Sequence, residues 1–256
     1  MPRYVSKNDY AEYLAEYAAA HDLDVKLGTR VDRILPAGEH WLVRAGGREF
    51  AARAVVVATG KHNRKWLPRW PGLEEIGGEL LHSADYRSGR AFAGRRALVV
   101  GIGNSGAEIA TDLVDEQAAS VAIAVRTPPP IAKRDILGIP VQLFGMALNP
   151  VPARPVDRVG ALVRRLGTGD LRPYGPGKEA WGPFAARRPP VIDVGFLETL
   201  KRGAIAVKPA VTALTPSGVA FSDGGSGFRE SPRGALYEAN RDSRRLAAEV
   251  SRYLAG

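Results

Sequence analysis

Three glycines, Gly101, Gly103 and Gly106, follow an apolar, β-branched run over 97–100 and give the pattern G-x-G-x-x-G. Each has a separate task in a phosphate-binding turn. The first permits the tight bend, the second lets backbone amides approach a pyrophosphate, and the third lets the following helix lie close to the strand. A helix over 105–116 would direct its positive end at the same phosphates. The predicted cradle is therefore Gly101, Gly103, Asn104, Ser105 and Gly106. At the end of the next strand, over 120–125, a site for NAD would carry Asp or Glu against the ribose hydroxyl. Arg126 and Thr127 stand there instead. A guanidinium suits a 2′-phosphate, so the residue types favour NADP, the plain alternative being a solvated arginine at a strand end. Lys133 and Arg134 lie near enough in sequence to add charge to that pocket, or to be surface cations.

The elements that must position this unit can be read from patterning. A helix over 7–21 opens at Ser6 with Asp9 in its first turn, and Tyr10, Tyr13, Leu14 and Tyr17 recur at helical spacing as core and rim residues. Short strands are predicted over 25–27, 30–35, 41–45 and 48–50, the last two joined through Gly46-Gly47, and a further strand over 54–57 runs into Ala58-Thr59-Gly60. Residues 61–72 hold two prolines and two tryptophans without periodicity and read as a loop packed by Trp66 and Trp70. His82 and Tyr86 read as structural. Beyond Thr127 come an apolar segment over 141–148, a basic helix over 156–166, a proline-rich loop over 172–190, a strand over 191–194 and a helix ending near Lys201. Strand pieces follow at Val207, Val211 and 219–221, and then a helix over 236–254.

Composition bounds the function. The 256 residues include 36 Lys and Arg against 27 Asp and Glu, a formal charge of +9. The arginines are spread along the chain rather than gathered with aromatics, which points to solvation and a phosphate cofactor and away from nucleic acid. With no cysteine, disulfides, zinc thiolates and cysteine catalysis are excluded, and no metal site is expected. No apolar run approaches the roughly 20 residues that span a bilayer, so a cytoplasmic protein with no membrane partner is expected.

In their order, these motifs resemble those of the flavin-containing monooxygenases that use NADPH and FAD. Ala58-Thr59-Gly60 with Pro68 and Pro71-Gly72 is similar to the crossover between the flavin and nicotinamide domains. Ile76-x-Gly78-x-x-x-His82-x-x-x-Tyr86 is similar to the F-x-G-x-x-x-H-x-x-x-Y signature, with Ile76 in place of Phe. Gly101-x-Gly103-Asn104-Ser105-Gly106-x-Glu108 resembles the NADPH motif, and Arg126 and Arg134 stand where the family holds the 2′-phosphate. Residues 174–183 and 190–195 also resemble it.

The resemblance implies an α/β chain: a Rossmann-like parallel-sheet NADP-binding domain over 73–200, inserted in a shortened FAD-type domain made of 1–72 and 201–256. It implies hydride transfer from NADPH to FAD and oxygen transfer through a flavin hydroperoxide to a small-molecule substrate. Flavin would do the hard chemistry, so no side-chain nucleophile is required. Asn104 or Asn63 would contact cofactor, or serve as turn and cap residues. Amides of Gly234, Ala235 and Leu236 would face the flavin. Two pieces of the family pattern are not found: a first glycine motif before residue 7, and a second ATG-like strand after Gly224, where Gly225-Ser226-Gly227 stands. The expectation is a chain shortened at both places with impaired flavin binding, or a non-catalytic NADP(H)-binding module. Sheet edges exposed by missing strands would favour homo-oligomers.

Overall fold

The computed structural model describes residues 4–60, 64–175, 177–227 and 235–238. Contacts divide the chain after Gly60 into two compact units. In the first, helix α1 (Lys7–Ala20) begins with a capping box. The Asp9 amide donates to Ser6 Oγ at 3.1 Å, and the Ser6 amide donates to the Asp9 carboxylate at 3.3 Å. Strands β1 (Val31–Ala37), β2 (His40–Ala45) and β3 (Arg48–Ala52) form an antiparallel meander. Gly46 and Gly47, at φ +56° and +74°, supply the left-handed pair that a two-residue hairpin turn needs.

Two expected strands do not form. Residues 25–27 and 54–57 pair with no strand among the described residues, and Val56 is 87% exposed. β-Branched side chains suit a strand, but hydrogen-bonded neighbours hold it there. For the same want of a packing surface α1 buries none of its residues, and the tyrosines expected in core and rim are exposed.

The second unit runs through β4 (Glu79–His82), β5 (Arg96–Val100), α2 (Asn104–Asp115) and β6 (Ser120–Ala124). An excursion follows, of β7 (Ile131–Lys133), β8 (Asp135–Ile136), β9 (Ile139–Pro140), α3 (Val141–Ala147) and α4 (Ala153–Thr168). The chain returns through β10 (Val191–Asp193), α5 (Phe196–Lys201) and β11 (Ile205–Lys208). It continues with β12 (Val211–Thr215), β13 (Gly218–Phe221), β14 (Ser226–Gly227) and β15 (Ala235–Glu238).

Five strands make one parallel sheet in the order β11-β6-β5-β15-β4. Its edge strand β11 lies past the boundary drawn at residue 200. β15 corrects an expectation: Ala235 and Leu236 pair with Ala97 and Leu98 on one side and Glu79 and Leu80 on the other, where the start of a helix was predicted. A slot with ladder partners on both sides outweighs helix propensity over four residues. Gly234 and the rest of the predicted helix lie outside the described residues.

The sheet is buried on both faces, so its residues sort by alternation. Ala97, Val99, Val121, Ile123 and Ile205 pack with Ala107, Ala110 and Leu113 of α2 and with Phe196, Leu197 and Leu200 of α5. Leu98, Ala122 and Ala124 face the other way, against Leu214, Val219 and Phe221 of the β12–β13 hairpin, with Trp70, Leu73 and Ile76 beside them. Trp70 is thus packing, as read from the sequence. Gly72 is required by close approach: a Cβ there would stand 2.0 Å from the Leu214 carbonyl oxygen.

Candidate functional site

The glycine turn sits at the carboxyl end of β5, in the middle of the sheet. Gly101 takes φ +95° and donates its amide to the Ala124 carbonyl at 2.9 Å, which locks the turn to β6. Gly103 is the N-cap of α2 and offers no side chain to the helix amides. Gly106 is buried where the helix crosses the strand. No side chain caps α2, and its first turn holds no carboxylate. The first amides of a helix have no intrahelical acceptor, so this end offers donors and a positive dipole to an anion. A Cβ on Gly103 would meet nothing within 4 Å, so the space over the turn is open. A pyrophosphate fits such a cradle.

β5 and β6 run parallel with Val100 beside Ala124, which brings Gly101 and Arg126 to the same edge of the sheet. Arg126 is exposed, and its side chain makes no hydrogen bond or ion pair among the described residues. That disposition suits a phosphate at the strand end.

Asn104 has a structural bond within the chain. Its Oδ1 accepts the Ile192 amide at 2.7 Å, tying the head of α2 to β10 across 88 residues of sequence. β10 pairs in parallel with β7, placing Ile192 beside Ala132 and Asp193 beside Lys133. Lys133, with Arg134 following it, therefore lies beside β10, whose Ile192 amide is bonded to Asn104. Lys133 opens on a cleft of about 620 Å³ shared with Thr168, Asp193, Glu198, Lys201 and Arg202, a lining of both charge signs. Arg134 has an interaction of its own within the chain, and its carbonyl accepts the Val141 amide at the start of α3. Asp193 Oδ1 accepts the Leu197 amide at 2.9 Å, capping α5.

His82 and Tyr86 bear out their structural reading. Tyr86 donates its hydroxyl to the Asp112 carboxylate on α2, and the same carboxylate accepts the Gly89 amide at 2.7 Å. His82 Nδ1 accepts the Ala84 amide at 3.0 Å. Partial burial lowers the His82 pKa, with Lys65 adding to the effect and Asp85 opposing it. Asp112 was not singled out from sequence, since one aspartate inside an amphipathic helix carries no signal until its partners are known. Ala58, Thr59 and Gly60 lie in the first unit as irregular exposed chain, with Gly60 at φ +73°. The amides of Ala235 and Leu236 belong to a strand ladder rather than to a loop.

Known proteins match this arrangement. The model of the pyridine nucleotide-disulphide oxidoreductase family matches residues 1–136. An indole-3-pyruvate monooxygenase, YUCCA1, of Oryza sativa subsp. japonica is 36% identical over 233 residues, 87% of this chain and 57% of that protein. A probable indole-3-pyruvate monooxygenase, YUCCA1, of Arabidopsis thaliana is 32% identical over 232 residues, 87% of this chain and 56% of that protein. Among solved structures, a doubly substituted flavin monooxygenase from Stenotrophomonas maltophilia superposes with a TM-score of 0.63 at 25% identity, over 90% of this chain and 55% of that one. A cyclohexanone monooxygenase mutant from Rhodococcus sp. Phi1 bound to NADP+ shares the fold, with a TM-score of 0.68 at 20% identity over 96% of this chain and 59% of that one. The chain belongs to the pyridine nucleotide-disulphide oxidoreductase family and, within it, to the flavin-containing monooxygenases. It spans a little over half the length of the curated relatives it matches. The dithiol chemistry in the broader family's name is closed to this chain, which has no cysteine.

Proposed function

We propose that the chain is the nicotinamide-binding part of an NADPH-dependent flavoprotein monooxygenase acting on a small molecule. The observation that carries the reading is the uncapped start of α2 on an open glycine turn, with Arg126, unpaired among the described residues, on the same sheet edge. In this reading Gly101, Gly103, Asn104, Ser105 and Gly106 form the pyrophosphate turn, with backbone amides as the donors. Arg126 takes the 2′-phosphate, Arg134 adds to the field, and the carboxylate-free first turn leaves the anion unopposed. Asn104 acts by holding the turn to β10. When bound, flavin would accept reducing equivalents from the nicotinamide and activate dioxygen for transfer to the substrate.

The fit to FAD is poorer. Helix α1 opens on its own capping box and carries Asp9 in the first turn, so the Asp9 amide is occupied and a phosphate there would meet a carboxylate. No other glycine turn among the described residues opens a helix in the manner of α2. Ala58, Thr59 and Gly60 would contribute to the flavin side. The nucleotide-binding domain would be inserted in that second domain, in a cytoplasmic protein that self-associates through unpaired strand edges.

The visible spectrum of the purified chain with added FAD, followed by NADPH, tests this reading. A flavin band that bleaches on NADPH addition supports a working oxidoreductase. NADPH binding without flavin leaves the non-catalytic module, and loss of NADPH binding overturns the assignment.

A further inference from the structure

Helix α4 carries apolar residues on both sides. Inward it buries Val156, and beside it the Asp157 carboxylate accepts the Phe184 and Ala185 amides at 3.0 and 2.8 Å, while Arg164 holds Glu179 through two bonds of 3.0 and 2.7 Å. Thr168 is buried at its end. Its outward side is apolar. Pro155, Val159, Leu162 and Leu166 recur every three or four residues, which aligns them in one stripe, and Val159, Leu162 and Leu166 are exposed, Leu166 at 80%. A helix in a folded domain ordinarily turns such a stripe to the core. Along one flank stand Arg154, Arg158 and Arg165, all exposed and none in a salt bridge among the described residues.

The segment before α4 has the same character. Leu137, at the tip of the β8–β9 hairpin, is 98% exposed and held at φ +49°, a backbone state a leucine side chain does nothing to favour. Leu143 and Met146 of α3 are exposed as well. From Leu137 to Leu166 the one acidic residue is Asp157, and it is bonded inward. The surface of this segment thus offers apolar side chains and guanidinium groups with no exposed carboxylate.

A second copy of the chain is a poor occupant. An antiparallel pairing along the stripe would set Arg158 and Arg165 of one helix against the same arginines of the other. An anionic lipid surface suits both components, because guanidinium groups pair with phosphates and the apolar stripe enters the headgroup boundary. At 16 residues α4 is about 24 Å long, and among the described residues no helix is long and apolar enough to cross a membrane, so it would lie flat. The length argument that excludes a spanning helix does not bear on this arrangement. We propose that the outward face of α4 docks the protein on an anionic phospholipid bilayer. The proposal rests on this helix and not on the enzymatic reading.

Flotation of the full chain with vesicles of phosphatidylcholine containing phosphatidylglycerol, and with vesicles of phosphatidylcholine alone, tests it. Binding is expected to the anionic vesicles only and to weaken as salt rises. R158E and R165E should each lower partitioning at least roughly fivefold, the loss expected for one basic residue near such a surface. The double change L162E/L166E should abolish binding while circular dichroism and NADPH binding persist. Failure to float with anionic vesicles, or flotation that survives L162E/L166E, overturns the proposal. A concentration-dependent dimer dispersed by L162E, without vesicle binding, would also overturn it and make the face an interface between copies.

Discussion

Gly103 and Gly72 are both glycines in turns, yet substitution should expose opposite roles. At Gly103 the backbone is at φ −90° and a methyl group meets open space, so Gly103→Ala should leave the urea midpoint unchanged. It should weaken NADPH binding at least about tenfold, roughly 1.4 kcal/mol, because the methyl enters the space a pyrophosphate needs. At Gly72 the φ of +76° and the Leu214 carbonyl oxygen 2.0 Å from the added carbon both oppose a side chain. Gly72→Ala should cost about 2–5 kcal/mol of stability in a urea titration. Arg126→Ala removes a charge with no partner among the described residues, so stability should hold. Its effect belongs to the cofactor: NADPH affinity measured by calorimetry should fall about tenfold to a hundredfold, with NADH affinity unchanged. Equal loss for both nucleotides would move the 2′-phosphate elsewhere.

Among the elements, α2 is the part on which others are hung. Asp112 receives the Tyr86 hydroxyl and the Gly89 amide, and Asn104 receives the Ile192 amide, so segments from both sides of the sequence are fastened to one helix. Tyr86→Phe takes away one donor from a part-buried carboxylate and should cost about 1–3 kcal/mol, read as a shift in urea midpoint without a change in slope. Four residues before Tyr86, β4 ends at His82. Its pKa is lowered from 6.5 by burial, with Lys65 assisting and Asp85 opposing. The folded state therefore binds this proton less readily than the unfolded one. Its contribution to stability is full above pH 6.5, declines as pH falls through 6.5 toward the lowered folded value, and is flat below it. His82→Asn keeps an acceptor for the Ala84 amide and should remove that slope from a pH series of urea midpoints.

For the whole molecule, the two units differ in how well they cover themselves. The parallel sheet of the second unit is packed on both faces. In the first unit α1 buries nothing, and Val56 and Val57 stand exposed on a run with strand composition but no ladder partner among the described residues. Residues of this kind gain about 1.5–3 kcal/mol each when fully buried, so the first unit has unused capacity for packing. Limited proteolysis should therefore cut within residues 1–60 before the sheet of the second unit. A protease-resistant fragment beginning near Lys7 would contradict this.

Local chemistry was legible in the sequence. Ser6 with Asp9, Gly46-Gly47, the glycine turn and the alternating strands 97–100 and 120–124 act over a few residues, and their backbone preferences act before any distant contact forms. The tertiary structure decided what depends on neighbours distant in sequence. It left 54–57 without a strand partner among the described residues, drew Ala235–Glu238 into the slot between β4 and β5, tied Asn104 to Ile192, and turned an apolar stripe of α4 outward. Hydrogen-bond ladders and packed faces need two surfaces, and a sequence pattern describes one of them.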